Sequence, residues 1–369
     1  MTIEIVNSKF EIRKFFKMAF IKIDNVALKG VSACVPAKVV KTKDLKMFAA
    51  DGGEKFTHTT GIIERRIAGD GICTSDLCQK AAEGLLAKMG WEKESVDLLV
   101  FVSNTPDYRS PATSCLLQHR LGLPTSCMTF DISTVCCGFI QAMTVVGSML
   151  SSGVIKRALM LAGDTNSLTS SPDDQSRYPL LGDAGTATAW EYDPNAEPIY
   201  ANLLSDGSNE DFVVSPDSGF RHFVTPESFK VRMCDDGIMR APIHGIMNGM
   251  EVFSFAISEC PKSIKAMCEH FNIDMHDAVD YYLFHQANLK INLTIAKKLK
   301  LDVDKIPSNI QYFGNISCAA IPLLMVTNIS EQISSQKLSL LLSAIGAGFV
   351  WGAGYLKTDN IVCTELFEL

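Results

Sequence analysis

The feature that most constrains this 369-residue chain is a pattern that occurs twice. LLGDAGTATAWEY near residue 185 and SAIGAGFVWGAGYL near residue 350 each run from a Gly-rich turn into a strand of small residues. Self-similarity of this kind implies two halves built on one scheme. Short apolar runs alternate with helical patterns through both halves: VDLLVFVSN, SPATSCLLQHRLGL and RALMLAGDT in the first, DYYLFHQAN, a helix through AKKLK and LSLLLSAIGAG in the second. That alternation predicts an α/β fold with buried strands. The segment DPNAEP, residues 193–198, has Pro, Asn and Asp without apolar periodicity, so the halves divide there, into residues 21–195 and 196–369.

Composition narrows the class. The chain is 47% hydrophobic and 20% charged, enough for a large core, yet no apolar stretch approaches the roughly 20 residues of a membrane span. A net charge of −7 argues against a general nucleic-acid binder. The twelve cysteines are scattered and contain no CxxC pair, which predicts reduced thiols in a cytoplasmic enzyme, not a disulfide framework. No Cys or His cluster suits a structural zinc, and no cofactor is expected. Cys34, Cys115, Cys127, Cys260 and Cys268 read as small buried hydrophobes. Residues 1–20 scatter charge through every turn and lack the roughly 7–15-residue apolar stretch of a signal peptide, so they read as an N-terminal extension, disordered or loosely packed.

Cys136 departs from the other cysteines. It follows the run CMTFDISTV and precedes CGFIQAMTVVGSMLSSG, a turn into an amphipathic helix. A thiol at the positive end of a helix dipole is expected to have a lowered pKa and to suit thioester chemistry. Two later segments offer polar partners at the ends of strand-like runs: His285 in YYLFHQANLK and Asn315 in QYFGNISCAAIP. Taken singly, a His after a strand is more often structural and an Asn after Gly is most often a turn residue; the joint occurrence reverses those odds.

On these three segments the chain resembles the β-ketoacyl-[acyl-carrier-protein] synthase III family over roughly residues 20 to 369. The resemblance implies a thiolase-like αβαβα sandwich, usually a homodimer in which residues near TPDYRSPATS approach the partner's acyl pocket. It places the nucleophile of a C-x-G-F turn on Cys136, the His of HQAN on His285 and the Asn of G-N-x-S on Asn315. It puts an oxyanion hole at the backbone N–H groups of Cys136 and Ala347, an acyl pocket at Ser110 and Phe139, and carrier-protein docking on Lys290, Lys297 and Lys298. Lys290 and Lys297 are seven residues apart, nearly one face of a helix.

The chemistry so implied is decarboxylative condensation of a primer acyl thioester with malonyl-[acyl-carrier protein]. Coenzyme A or phosphopantetheine thioesters would be its substrates. Cys136 would carry the acyl group while His285 and Asn315 stabilise the enolate. Three departures from the family pattern weaken acetyl-coenzyme A as primer: Thr59 replaces an Arg, Lys55 beside Phe56 replaces a stacking aromatic, and Gln175 with Arg177 nearby replaces a second stacking residue. Ser110, where acetyl-specific members have an aromatic gate, leaves room for longer or unusual primers. Competing readings are an acyltransferase to an alcohol or amine, a non-catalytic partner subunit, and a papain-like hydrolase. The third lacks its local Cys signature here, and the second typically lacks the active-site Cys.

Overall fold

The computed structural model describes residues 19–369. Its principal strands begin with β1 (Ala19–Ile23), β2 (Val26–Val35), β3 (Leu98–Val102), β4 (Met128–Ile132), β5 (Arg157–Asp164) and β6 (Ala184–Tyr192). They continue with β7 (Ile199–Ser205), β8 (Tyr281–Phe284), β9 (Lys337–Gly346), β10 (Val350–Asp359) and β11 (Val362–Glu368). The helices that pack on them are α1 (Thr74–Met89), α2 (Thr113–Arg120), α3 (Gly138–Leu150), α4 (Gly249–Phe271), α5 (Leu289–Leu299) and α6 (Ala320–Asn328).

The repeated segments fall on β6 and β10, which occupy matching places. One sheet runs β11-β2-β6-β5-β3-β4 and the other β1-β7-β10-β9-β8. Within them β6 is antiparallel to both β2 and β5, as β10 is to both β7 and β9. The next pairs, β5 with β3 and β9 with β8, are parallel in each. Strand β3, LLVFV, is buried at every position, as a strand covered on both faces must be.

Residues 193–198 connect β6 to β7, but the terminal strands cross between the sheets. β1 pairs with β7, and β11 pairs with β2. Each sheet therefore borrows a strand from the other part of the chain, a feature no local pattern specifies. β1 starts at Ala19, so the last two residues of the expected extension belong to the fold. The rest of that segment lies outside the described residues.

Five layers follow from the three cores. Helices α3 and α6 lie between the sheets, with Phe139, Ile140, Met143 and Val146 meeting Leu323, Leu324 and Met325. The α3 sequence carries no charge and is apolar nearly all round, which requires cover on both sides. Helices α1 and α2 cover the outer face of the first sheet, α4 and α5 that of the second. This is the αβαβα sandwich that the resemblance implies.

Helix α4 contains Pro261, which cannot donate to the carbonyl of Ile257 four residues earlier. Lys298 of α5 supplies the missing donor, its Nζ 2.9 Å from the Ile257 oxygen. All twelve cysteines are free. Cys34, Cys127, Cys260 and Cys268 are buried as expected, but Cys115 is exposed, because it lies on the outward side of α2 with Sγ 3.3 Å from Thr129 Oγ1. Among the described residues no helix is long and apolar enough to cross a membrane.

Candidate active site

Both halves contribute to one cavity of about 750 Å³, whose walls include Cys136, His285, Asn315 and Ala347. Cys136 reaches it from the loop between β4 and α3, and His285 from the end of β8. The cavity wall also includes Phe56, Gln175 and Arg177, whereas Lys55 and Thr59 stand outside it.

Cys136 sits between β4 and α3, one residue before the helix cap Cys137. The turn is closed by the Gly138 N–H donating to the Val135 carbonyl at 2.7 Å. Only glycine fits at 138: a Cβ there would lie 2.7 Å from Thr134 Cγ2 and 2.9 Å from Val102 Cγ1. Cys137 is fully buried in the central core, so Cys136 alone of the pair faces the cavity. Its thiol does not have the lowered pKa that the helix terminus predicts. Burial pushes it up to about 12, opposed by the Ser317 hydroxyl, its own backbone N–H and the Arg177 charge. Removal from water outweighs the dipole here, so the resting group is the thiol.

His285 follows β8 directly. Its N–H donates to the Ser343 carbonyl at 2.8 Å, continuing the pairing of β8 with β9, and its carbonyl accepts from Asn292 Nδ2 at 3.2 Å. The ring is buried, and neither nitrogen has a hydrogen-bond partner among the described residues. Burial lowers its pKa to about 4, with the Ser317 backbone opposing, so the imidazole is neutral near pH 7. Asn315 is fixed at its backbone by bonds to Leu180 and Gly182. Its Oδ1 accepts the Ser317 N–H at 3.0 Å, which orients the amide with Nδ2 as donor.

Ser317 is the residue that motif reading missed. It holds a positive φ of 54°, costly for a side chain with a Cβ, of the kind stored at functional sites. Its Oγ accepts the Cys136 N–H at 3.0 Å and lies 3.8 Å from Cys136 Sγ. The expected oxyanion donor at residue 136 is therefore already engaged by a hydroxyl. The G-N-x-S segment contained the signal, a second hydrogen-bonding side chain two residues after Asn315. Beneath it lies Asp164, fully buried, whose Oδ1 accepts from Ser103 Oγ, the Asn104 N–H and Thr105 Oγ1.

One pocket expectation needs correction. Phe139 points into the central core and does not line the cavity, because α3 turns that side toward the packed layer between the sheets. Ser110 is exposed and lines no part of its own chain's cavity. Lys290 and Lys297 are exposed on α5, and Lys290 Nζ lies 6.0 Å from the ring centre of Phe253, a cavity-lining residue. Lys298 is exposed too, but its ammonium is engaged on Ile257.

Comparison with known proteins identifies the family. Family models described as 3-oxoacyl-[acyl-carrier-protein] synthase III match residues 130–207, and its C-terminal part matches residues 263–358. A β-ketoacyl-[acyl-carrier-protein] synthase III of Streptococcus mutans is 31% identical, covering 92% of this chain and 100% of that protein. A solved 3-oxoacyl-(acyl-carrier protein) synthase from Burkholderia xenovorans superposes with a TM-score of 0.89 at 34% identity, covering 95% of this chain and 99% of that one. A synthase III structure from Pseudomonas aeruginosa gives 0.77 at 28% identity, covering 92% and 99%. The chain belongs to the β-ketoacyl-[acyl-carrier-protein] synthase III family.

Proposed function

We propose that this chain is an acyltransferase that condenses a primer acyl thioester with malonyl-[acyl-carrier protein], releasing carbon dioxide, in fatty acid or related secondary-metabolite biosynthesis. The observation that carries the reading is a thiol, a neutral imidazole and an oriented amide on one cavity wall. Cys136 Sγ attacks the primer carbonyl, the carrier thiol leaves with the proton, and the acyl group rests on Cys136. Malonyl thioester then loses carbon dioxide, and the enolate oxygen receives hydrogen bonds from His285 and Asn315 Nδ2. The carbanion attacks the acyl carbonyl, the carbon–carbon bond forms as the bond to Cys136 Sγ breaks, and the departing Cys136 thiolate takes up a proton from solvent to return to the thiol. The acyl oxygen takes the Cys136 N–H from Ser317 Oγ and accepts a second hydrogen bond from the Ala347 N–H. The thioesters carry the reactive groups, so this sequence of steps calls on no resident cofactor.

The assembly proposed is a cytoplasmic homodimer in which the Ser110 segment faces the partner's cavity. In support, that segment is exposed and adjoins an apolar cluster: Tyr108 is exposed, and the Arg109 guanidinium lies 4.8 Å from the ring centre of the exposed Phe220. Sedimentation should report a dimer at micromolar concentration; a monomer would remove this part of the proposal.

The reaction is tested by supplying a primer thioester with and without malonyl-carrier protein. Carbon dioxide and a β-ketoacyl product should appear only with it. Primer transfer to an added alcohol or amine, without carbon dioxide, would favour the acyltransferase reading instead.

A further inference from the structure

The cavity wall holds a charge that the condensation steps do not use. Arg177 is only 9% exposed and lines the same cavity as Cys136. Nη1 donates to the Thr169 carbonyl at 2.9 Å and Nη2 to Thr169 Oγ1 at 3.1 Å. Among the described residues no carboxylate forms an ion pair with this guanidinium. Neighbouring acids are engaged elsewhere: Asp174 Oδ1 accepts from the Ser176 N–H and hydroxyl and from the Arg177 backbone N–H. Asp174 Oδ2 lies 3.6 Å from Arg240 Nη1, and Asp236 pairs with Arg240 as well. Asp174 acts on Arg177 only at a distance, so the buried cation has no direct ion pair, which is costly, and it lines the cavity.

The seat of this guanidinium is built into the fold. A Cβ at Gly245 would lie 2.4 Å from Arg177 Nη1, so only glycine leaves the group its place. The Gly245 N–H donates to the same Thr169 carbonyl at 2.9 Å. His244 brings no negative charge, since it is neutral or cationic, and its Nδ1 accepts the Ala241 N–H. The wall also presents Asn104, Gln141, Asn166 and Gln175. Gln141 Oε1 is buried without a partner. A wholly apolar acyl chain packed against these groups would leave them desolvated and unpaired.

We propose that the primer carries a carboxylate at the end remote from its thioester, and that Arg177 selects it. This rests on the condensing reading above. The malonyl carboxylate is a poorer candidate, because a salt bridge to Arg177 would stabilise the group that must leave as carbon dioxide. Acylation forms the bond from Cys136 Sγ to the primer carbonyl as the carrier's C–S bond breaks. The Cys136 proton departs with the carrier thiol, no redox change occurs, and the distal carboxylate is untouched.

The test measures acyl-enzyme formation by intact-protein mass spectrometry without malonyl thioester. Succinyl and glutaryl N-acetylcysteamine thioesters, which have no phosphates, are compared with butanoyl and pentanoyl ones of equal length. Wild type should acylate about tenfold or more faster with the ω-carboxyl primers. Arg177→Gln should reverse that order, and Gly245→Ala, which displaces the guanidinium, should erode it. Equal or faster acylation of wild type by the neutral primers overturns the proposal, as does a loss in Arg177→Gln that is uniform across both sets. An unchanged primer preference with impaired malonyl decarboxylation would assign Arg177 to the extender and also overturn it. Failure of every thioester to acylate Cys136 would instead remove the condensing reading itself.

Discussion

A thiol that burial pushes up to about 12, beside an imidazole that burial pushes down to about 4, exchanges its proton during the reaction and not before it. Both shifts have one cause, exclusion of water from the cavity floor, which also strengthens each hydrogen bond made there. Cys136→Ala should abolish condensation, while Cys137→Ala, which trims a core side chain, should keep activity within a few-fold; peptide mapping of an acyl adduct to Cys137 would refute the assignment. His285 gives a pH test. Unfolded, its imidazole protonates near 6.5; folded, only near about 4. Between those values the unfolded chain binds the extra proton, so the contribution to stability is complete above 6.5 and falls as the pH drops toward 4, by on the order of 3 kcal/mol in all. Wild type should therefore lose melting temperature relative to His285→Asn between pH 7 and about pH 4.5. A constant difference would mean the ring is not held neutral. Cys136, His285 and Asn315 were legible because each sits in a short motif of recognisable form. Ser317 and the burial of Arg177 were not: Ser317 meets Cys136 across 181 residues of chain, and the seat of Arg177 depends on a glycine in a different segment.

At the scale of elements, alternation and small-residue turns revealed the strands, a helix after Cys136 and the duplicated slots of β6 and β10, but that helix was expected to be amphipathic and is instead buried between the sheets. What they could not reveal was the crossing of β1 and β11 between sheets, since pairing partners so far apart leave no trace in local periodicity. Nor did spacing foretell the contact between α4 and α5 at Pro261. The lost helical hydrogen bond is made good by Lys298, which turns a residue expected on a docking face into a prop for the neighbouring helix. Lys298→Met should cost about 1 kcal/mol or less, as befits a partly exposed bond. In a Pro261→Ala background, where the Ile257 carbonyl regains its backbone donor, the same substitution should cost close to nothing. A double-mutant cycle by denaturant unfolding reads this coupling directly. Additive costs in the cycle would show that Lys298 does not substitute for the missing N–H.

Across the whole molecule the charge balance is acidic, at −7, yet the reaction proposed requires approach of a carrier protein that is itself acidic. Long-range attraction cannot come from net charge, so it has to come from a local patch whose field dominates within a Debye length of roughly 8–10 Å. Helix α5 offers one: Lys290 and Lys297 project from the second half, and Lys290 stands against Phe253 at the wall of the cavity. Spacing had placed both lysines on one helical face, and the helix forms over Leu289–Leu299 as that required. With Lys298 engaged by Ile257, those two carry the proposed docking. Converting both to Glu should raise the apparent KM for malonyl-carrier protein on the order of tenfold at low salt, with the difference shrinking as ionic strength rises. Acylation by a small N-acetylcysteamine thioester should be nearly unchanged, because that substrate brings no acidic surface. If both substrates lost activity equally at every salt concentration, the lysines would be supporting the fold or the cavity, and the carrier would have to dock elsewhere.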